Sequence, residues 1–282
     1  MQQMNNINNQ REKVTVVKVG GAVVEDAEQL SQLLENFSAI EGKKVLVHGG
    51  GRRATKIASQ LGIESHMVGG RRITDAEMLS VVTMVYGGLV NKNLVAQLQA
   101  KGVNALGLTG ADMDIIRSHK RPLKKVRMDD GTDEMVDFGF VGDVDYADGK
   151  RFAELLESGI IPVVAPLTHD GSGNMLNTNA DTMASTVAKA LAEFYDVTLI
   201  FSFEKKGVLS DPADDDSVIP VITRTLYNKY VEEGVISGGM MPKIENALEA
   251  VEMGVNRVII TLATAISDDS QGTTIRIDEL TN

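Results

Sequence analysis

The sequence predicts an α/β protein built as a three-layer sandwich, with a mostly parallel central sheet and helices on both faces. Short apolar runs rich in Val and Ile alternate along the chain with segments whose apolar residues recur every three or four positions. Strands that alternate with helices in this way form parallel sheets covered on both faces. No linker rich in Pro, Gly or Ser divides the chain, so we expect a single domain over residues 1–282.

The first predicted strand contains a lysine that needs an explanation. Residues 14–19 are apolar except for Lys18, and Gly20 and Gly21 end the run. A charged side chain in a buried strand is costly unless it has a partner or a function. Because open α/β sheets bind ligands at the carboxyl ends of their strands, Lys18 is a candidate site residue. The alternative is a lysine that reaches solvent from an edge strand.

The second strand ends in three glycines, and we expect the site to be organised around them. The run VLVHGGG at 45–51 passes directly into a helical pattern, with apolar residues at 54, 57, 58 and 61. Glycine lets the backbone approach a ligand closely. The first turn of a helix has unpaired N–H groups and partial positive charge. Together these features favour an anion such as a phosphate or a carboxylate, and a tight turn that binds nothing is the alternative.

The remaining elements of the first half follow from local spacing and turn residues. Apolar positions 30, 33, 34 and 37 predict a helix, and 104–108 a strand. Residues 63–74 predict an irregular hairpin with Gly69 and Gly70 at its turn. Thr74 is the predicted cap of a long helix that Asp75 opens and that runs to about residue 101. Gly87 and Gly88 inside it cost about 1 kcal/mol each, which suggests a contact with another helix or subunit.

The second half repeats the alternation of strands and helices. Hairpins are predicted over 113–146, a short helix over 151–157, a strand over 160–166 and a turn at 170–171. A helix through residue 192, a strand at 197–201 and a helix around 226–233 follow. The run SGGMMPK at 237–243 predicts a second glycine turn into a helix, with Pro242 in the first turn. Strands at 258–260 and 273–275 close the predicted sheet.

Composition excludes several functional classes. The net charge of −11 argues against nucleic-acid binding, and the basic stretch at 120–127 is interpreted as a solvated hairpin. No apolar run approaches the ~18 residues of a membrane span. Residues 1–13 predict disorder or a weak helix and lack an apolar signal core. The chain has no Cys, and its four His lack metal-ligand spacing. We expect a cytoplasmic protein that binds neither nucleic acid nor membrane and holds no metal through its side chains.

The glycine turns and two lysines indicate phosphoryl transfer. The chain lacks the P-loop pattern GxxxxGK[ST], and it lacks a GxGxxG dinucleotide pattern followed by an acidic residue. It offers glycine turns at strand ends instead (20–21, 49–51 and 238–239), with Lys18 and Lys243 beside them. Backbone N–H groups and lysines directed at one cleft suit phosphoryl transfer, because that reaction depends on positioning and charge neutralisation.

Five motifs together carry a resemblance to a known family. They are VVKVGG at 16–21, HGGG at 48–51, GRRIT at 70–74, NTNAD at 177–181 and GGMMPK at 238–243. Each motif is weak by itself, but their order is typical of the amino-acid kinase family. Over about 14–275 the chain resembles this family, and most of all its members that phosphorylate N-acyl-L-glutamate in arginine biosynthesis.

The resemblance implies a role for each candidate residue. Lys18 and Lys243 would stabilise charge on the transferring phosphoryl group, and Asp181 would hold the two lysines. Arg72 and Asn177 would bind the acylglutamate, since a guanidinium can bond a carboxylate through two N–H groups. Gly50 and Gly51 would also contact the acylglutamate, and the nucleotide would be bound at Gly20, Gly21, Gly49, Gly207 and Gly239. Without the motif order, Arg72 is typical of a surface hairpin, Asn177 of a turn, and Asp181 of a helix first turn.

The implied reaction is ATP-dependent phosphorylation of the side-chain carboxylate of an N-acyl-L-glutamate, with acetyl as the default acyl group and succinyl as the alternative. Residues 14–175 would form a lobe for the acylglutamate and the dimer contact, and residues 176–282 a lobe for ATP. Mg²⁺ would bridge the ATP phosphates and be held mainly by the nucleotide. The acceptor is already ionised at neutral pH, because its reference pKa is about 4.3, so no general base is needed.

Two stretches depart from the family pattern. Where members usually have an Asp and a short glycine turn that contacts nucleotide, this chain reads SFEKKG at 202–207, and 263–272 is also atypical. Arginine-inhibited hexamers carry a longer N-terminal helix than the roughly dozen residues that precede the first strand here. The resemblance therefore implies a homodimer without strong arginine inhibition. A larger acyl group would need a more cationic pocket, for which Arg71 is a candidate.

Other interpretations remain open. A carbamate or uridylate kinase would share the fold, and an aspartokinase would usually add a regulatory region for which the chain has no room. A non-catalytic ligand-sensing subunit is a rival of a different class, although both lysines and Asp181 are present. An oxidoreductase is a more distant alternative.

Overall fold

The computed structural model describes residues 11–69, 71–128, 131–268 and 270–278. Several sequence predictions lie outside these residues: the disorder or weak helix over residues 1–10, the part that Gly70 plays in the first hairpin and in the GRRIT motif, and residues 129–130 of the predicted hairpins.

Strands and helices alternate along the chain as the sequence predicted. The strands are β1 Lys13–Val19, β2 Lys43–His48, β3 Met67–Val68, β4 Arg71–Arg72, β5 Ala105–Leu108, β6 Ile116–Lys120, β7 Lys124–Arg127, β8 Asp133–Val136, β9 Gly142–Ala147, β10 Ile161–Val164, β11 Leu167–His169, β12 Met175–Asn177, β13 Asp196–Phe203, β14 Val221–Ile222, β15 Arg257–Leu262 and β16 Thr273–Ile275. The helices are α1 Gly21–Glu25, α2 Ala27–Ala39, α3 Gly51–Gln60, α4 Ala76–Val82, α5 Asn91–Ala100, α6 Gly149–Glu157, α7 Ala180–Leu191, α8 Arg224–Glu232 and α9 Met241–Glu252.

The central sheet has eight strands in the order β14-β16-β15-β13-β1-β2-β10-β5. Neighbouring strands from β15 to β5 run parallel, whereas β16 is antiparallel to β15 and pairs in parallel with β14. A second sheet, β12-β11-β6-β9, extends the N-terminal half, and β3–β4 and β7–β8 are separate hairpins. The predicted mostly parallel sheet and the hairpins over 113–146 are therefore confirmed.

Helices cover both faces of the central sheet, which confirms the three-layer sandwich. Successive residues of β1 point to opposite faces, since strand side chains alternate. Val16 joins a core cluster with buried residues of α6, α7 and α9, whereas Val17 joins one with residues of α2, α3, α4 and α5. Both valines are fully buried. The carboxyl ends of β1, β2 and β13 consequently lie side by side between the two helical layers.

The long helix predicted after residue 75 is present but irregular. The π-helical segment Thr83–Val90 joins α4 to α5 and contains Gly87 and Gly88. A Cβ on Gly87 would lie 3.4 Å from Leu167 Cδ1, so this glycine permits close packing against β11. By length and composition the joined helix Ala76–Ala100 could cross a membrane, but its buried residues pack in the same core cluster as α2. Those contacts are typical of a core helix.

Three local predictions were wrong, and an edge strand was missed. Asp75 caps α4 through Met78 N, whereas the Thr74 hydroxyl is fully buried and accepts a hydrogen bond from Asn177. Leu61 is exposed, because α3 has ended by that residue. The glycine turn at Gly238–Met240 follows a loop after α8 rather than a strand. The predicted strands at 258–260 and 273–275 are confirmed as β15 and β16, whereas the edge strand β14 was missed, because a two-residue strand leaves little periodicity to detect.

Candidate active site

Two lysines predicted from the sequence meet at the carboxyl end of β1. Lys18 Nζ lies 2.7 Å from Asp181 Oδ1. Asp181 stands in the first turn of α7, where the helix dipole favours a carboxylate. The Asn179 side chain caps this helix by accepting hydrogen bonds from the N–H groups of Asp181 and Thr182. The capped helix start therefore fixes the carboxylate beside Lys18.

Lys243 approaches the same place from the first turn of α9. Its Nζ lies 4.1 Å from the centroid of the Phe203 ring, and Lys18 Nζ lies 5.5 Å from that centroid. Burial lowers the pKa of the Lys243 ammonium, the Asp181 carboxylate raises it, and the Lys18 charge lowers it further. Two cations and one carboxylate thus share a small volume, which favours a further anion.

The glycine turns after β1 and β2 pack against each other. Gly49 N donates to Val19 O at 2.9 Å, and a Cβ on Gly49 would lie only 3.1 Å from Gly21 N. A Cβ on Gly50 would lie 2.9 Å from the Tyr86 ring. Among the described residues, neither Gly50 N nor Gly51 N has a hydrogen-bond acceptor. Gly50 and Gly51 therefore have free backbone donors, whereas Gly49 uses its N–H within the fold.

His48 fixes the orientation of this turn from inside the core. It is fully buried, and its Nδ1 lies 2.8 Å from Gly49 O while its Nε2 lies 3.1 Å from Asn91 Nδ2. This pairing requires a neutral ring with the proton on Nδ1. Burial lowers the pKa of His48 to about 4. Because a peptide unit is planar and trans, anchoring the Gly49 carbonyl directs the Gly50 N–H the opposite way.

A cavity of about 250 Å³ opens beside this turn, and we call it the arginine cavity because Arg71, Arg72 and Arg121 line it. Its lining includes Lys18, Gly21, Gly49, Gly50, Gly51, Arg71, Arg72, Tyr86, Arg121, Asn177 and Asp181. Arg72 donates to Gly51 O, Thr55 Oγ1 and Ser65 Oγ, so its guanidinium is held in place at the helix start. Asn177 donates from Nδ2 to Thr74 Oγ1 at 2.9 Å. The structure thus brings both predicted substrate residues to one cavity.

The sequence did not predict three residues of this cavity as site residues for the default substrate. Arg121 was assigned to a solvated hairpin, which was wrong for this residue: its side chain is 11% exposed and bonds Asp143 through two nitrogens. Tyr86 sits in the π-helical segment, and burial raises the pKa of its hydroxyl. Arg71 was considered only for a larger acyl group. Partial burial and the neighbouring Arg121 lower the pKa of the Arg71 guanidinium.

A second cavity of about 520 Å³ adjoins the first and shares Lys18, Gly21 and Gly51 with it. We call it the Phe203 cavity, and its lining also includes Gly20, Ser202, Phe203, Gly207, Met240 and Lys243. Gly207 packs tightly, since a Cβ there would lie 2.8 Å from Thr273 Oγ1. Gly239 is not one of the described residues that line either cavity. The shared lining makes Lys18 the junction of two neighbouring binding spaces.

A metal ion at this site would need ligands from side chains or from a bound molecule. Among the described residues, no group of three or more His, Cys, Asp or Glu could hold a metal ion. The nearest carboxylate to the two lysines, Asp181, already pairs with Lys18. A divalent cation at this site would therefore need oxygen ligands from a bound molecule.

Comparison with known proteins identifies the family of the chain. The sequence model of the amino acid kinase family matches residues 13–262, which is most of the chain. The chain belongs to the amino acid kinase family. This membership confirms the predicted family and its fold.

One relative and two solved structures are similar to the chain over nearly its whole length. An acetylglutamate kinase from Bacteroides thetaiotaomicron is 65% identical over 266 residues, covering 94% of this chain and 99% of that protein. Carbamate kinase from Giardia lamblia superposes with a TM-score of 0.65 at 15% identity, covering 95% and 99% of the two chains. N-acetylglutamate synthase from Neisseria gonorrhoeae gives 0.75 at 21% identity, covering 96% of this chain and 61% of that one. The two structural neighbours show the shared fold alone, and the chain is a kinase of the amino acid kinase family.

Proposed function

We propose that this kinase transfers the γ-phosphoryl group of ATP to the side-chain carboxylate of N-acetyl-L-glutamate, a step of arginine biosynthesis. The observation that carries the proposal is Lys18, paired with Asp181 and facing both cavities. The relative named acetylglutamate kinase, 65% identical over 94% of the chain, supports the choice of acceptor.

Each cavity suits one substrate. The arginine cavity offers guanidinium groups and the free Gly50 and Gly51 donors, which match the two carboxylates of an acylglutamate. Arg72 and Asn177 would bind that substrate. The Phe203 cavity would take the nucleotide, since Gly20, Gly21 and Gly207 line it. Gly49 would contact the nucleotide from the adjoining cavity, and Gly239 from outside both linings. In this assignment residues 14–175 form the acylglutamate lobe and residues 176–282 the ATP lobe.

The chemical step would depend on charge rather than on proton transfer. Lys18 and Lys243 would neutralise the negative charge that spreads over the transferring phosphoryl oxygens. Asp181 would keep Lys18 aimed at the junction of the cavities. The acceptor carboxylate is ionised at neutral pH, so the site needs no base to activate it. Mg²⁺ would arrive with ATP, because no group of three or more acidic, His or Cys side chains in the described part of the chain could hold it.

A hydroxamate assay for the acyl phosphate tests the roles of the lysines. With ATP, Mg²⁺ and N-acetyl-L-glutamate, Lys18→Ala and Lys243→Ala should each lower kcat by about 100- to 1000-fold, the cost of removing one charge-stabilising donor. Lys56→Ala, at an exposed lysine on α3, is the matched control and should retain full activity. Full rates in both site variants would refute the assignment. Carbamate and UMP as acceptors test the alternative kinases, and a folded parent inactive on all three acceptors would support a ligand-sensing subunit.

An N-succinyl-L-glutamate acceptor is the second candidate, and Arg71 is the observation that favours it. Arg71 lines the arginine cavity, and no carboxylate pairs with it among the described residues. A succinyl group would bring a third carboxylate that this guanidinium could bond. Competing the two acylglutamates in one assay decides between them, and Arg71→Met should lower activity on the succinyl substrate alone.

The assembly and compartment complete the proposal. We infer a cytoplasmic homodimer that arginine does not inhibit strongly. Light scattering and the hydroxamate assay in submillimolar arginine test this part. A hexamer, or inhibition in that range, would contradict it without affecting the assigned reaction.

A further inference from the structure

One aromatic ring contacts both lysines of the candidate site. The Phe203 centroid lies 4.1 Å from Lys243 Nζ and 5.5 Å from Lys18 Nζ. Both distances lie within the roughly 6 Å over which a ring face attracts a cation. Phe203 falls in the SFEKKG stretch where the sequence departs from the family pattern.

Strand geometry explains why these three groups meet. Lys18 pairs in register with Phe201 across β1 and β13, and Phe203 lies two residues further on the same face. Phe201 and the partly buried Phe203 belong to the core against which α9 packs. Lys243, in the first turn of α9, therefore arrives over the ring of Phe203. The contact follows from the register of two parallel strands and the packing of one helix.

The charges at the site leave Lys243 without an ion pair. Asp181 forms its 2.7 Å ion pair with Lys18. No carboxylate lies within ion-pair distance of Lys243 among the described residues, although Asp181 and Glu204 act on it at longer range. Burial lowers the pKa of Lys243, so it destabilises the ammonium form of this side chain. The face of the Phe203 ring, which carries negative potential, lies with its centroid 4.1 Å from Lys243 Nζ.

We propose that Phe203 is a positioning residue that holds the Lys243 ammonium, and to a lesser degree that of Lys18, against its ring face in readiness for the phosphoryl group. The inference rests on the proposed phosphoryl transfer, because it assigns a purpose to the place where the lysines are held. It predicts that the negative potential of the ring, rather than its bulk, sets the efficiency of the lysines.

Fluorinated phenylalanines at position 203 test this directly. Replacing Phe203 with its mono-, di- and trifluoro analogues keeps the shape of the side chain while the potential of the ring face falls stepwise. We expect kcat/KM for ATP to fall progressively, by about 5- to 20-fold at the trifluoro ring, the range that a cation–π contact supports. KM for the acylglutamate should stay within twofold. Phe203→Trp should retain activity, and Phe203→Leu should lose at least as much as the trifluoro ring.

Phe201 provides the matched control. Its ring centroid lies 6.3 Å from that of Phe203, but among the described residues it makes no contact with a lysine ammonium. The same fluorinated residues at 201 should leave kcat/KM for ATP unchanged. An equal loss at both positions would indicate packing and overturn the proposal, as would no loss at position 203.

A readout without substrate separates this inference from the proposed function. The pKa of Lys243 can be followed by NMR on the free protein, after assignment through Lys243→Arg. Stepwise fluorination at 203 should lower it, because a weaker ring face stabilises the ammonium less. An unchanged pKa would overturn the inference even in an active kinase. If fluorination lowers the pKa of Lys243 but the unmodified protein forms no acyl phosphate, the contact between Phe203 and Lys243 is supported and the proposed reaction is refuted.

Discussion

Two buried lysines lie on neighbouring strands of the central sheet, one near the carboxyl end of its strand and the other near the amino end. Lys18 lies near the carboxyl end of β1 and Lys44 near the amino end of β2, and they are 8% and 6% exposed. Lys44 Nζ donates to Ser38 O at 2.8 Å and Ile40 O at 2.7 Å, so it satisfies carbonyls at the end of α2. Lys18 instead pairs with a carboxylate at the wall of two cavities.

The comparison separates a structural lysine from a site lysine at equal burial. Helix ends leave carbonyl groups without partners, and a lysine that fills them stabilises the fold. Burial lowers the pKa of Lys44, which shows that this arrangement carries a cost. Burial of a charge is therefore a weak sign of function by itself. The partner and the access to a cavity decide the interpretation.

The largest expected effect is at the carboxyl end. Lys18→Met keeps the length of the side chain and removes its charge, so acyl phosphate formation should fall by about 100- to 1000-fold. Because the substitution leaves the largely buried Asp181 carboxylate unpaired, the free energy of unfolding, measured by urea denaturation, should fall by about 3 kcal/mol, and the activity is compared for the folded fraction. If unfolding alone explained the lost activity, Lys18 would be a structural lysine like Lys44 rather than a site lysine.

An acid titration should reveal the next effect, also at the carboxyl end. The pKa of His48 is about 4 in the folded protein and 6.5 in the unfolded chain. The unfolded state therefore takes up a proton first, and stability should fall as the pH drops from about 6.5 towards 4, by up to about 3 kcal/mol. Urea denaturation across this range measures it. His48→Asn should lose this part of the slope, and His66→Asn, at an exposed histidine, should keep it.

The smallest effect is expected at the amino end. Lys44→Met leaves the Ser38 and Ile40 carbonyls without their donor, so the free energy of unfolding should fall by about 1–3 kcal/mol. The kcat of the folded fraction should stay within about twofold of the parent value. A selective loss of kcat without a loss of stability would mean that the two ends are coupled.

Sequence patterns predicted much of this molecule where the signal was local. The apolar spacing of α2 and the glycine turn after β2 placed these elements correctly, and Leu33 and Phe37 are fully buried as expected. Eleven of the twelve candidate site residues line one of the two cavities, and Gly239 lines neither among the described residues; their roles stay predictions. Arg121 was assigned to solvent because it lies in a locally basic stretch of sequence, and Thr74 was taken for a cap because it precedes a helix.

The sequence by itself determined the order of the elements, the faces of the helices, the glycine turns and the motifs of the amino acid kinase family. Tertiary structure alone decided that Lys18 and Lys243 share the ring of Phe203, and that Arg121 reaches the arginine cavity. The physical reason is range. Spacing along a helix or strand is written in neighbouring residues, whereas these contacts depend on strand order, register and helix packing between distant parts of the chain.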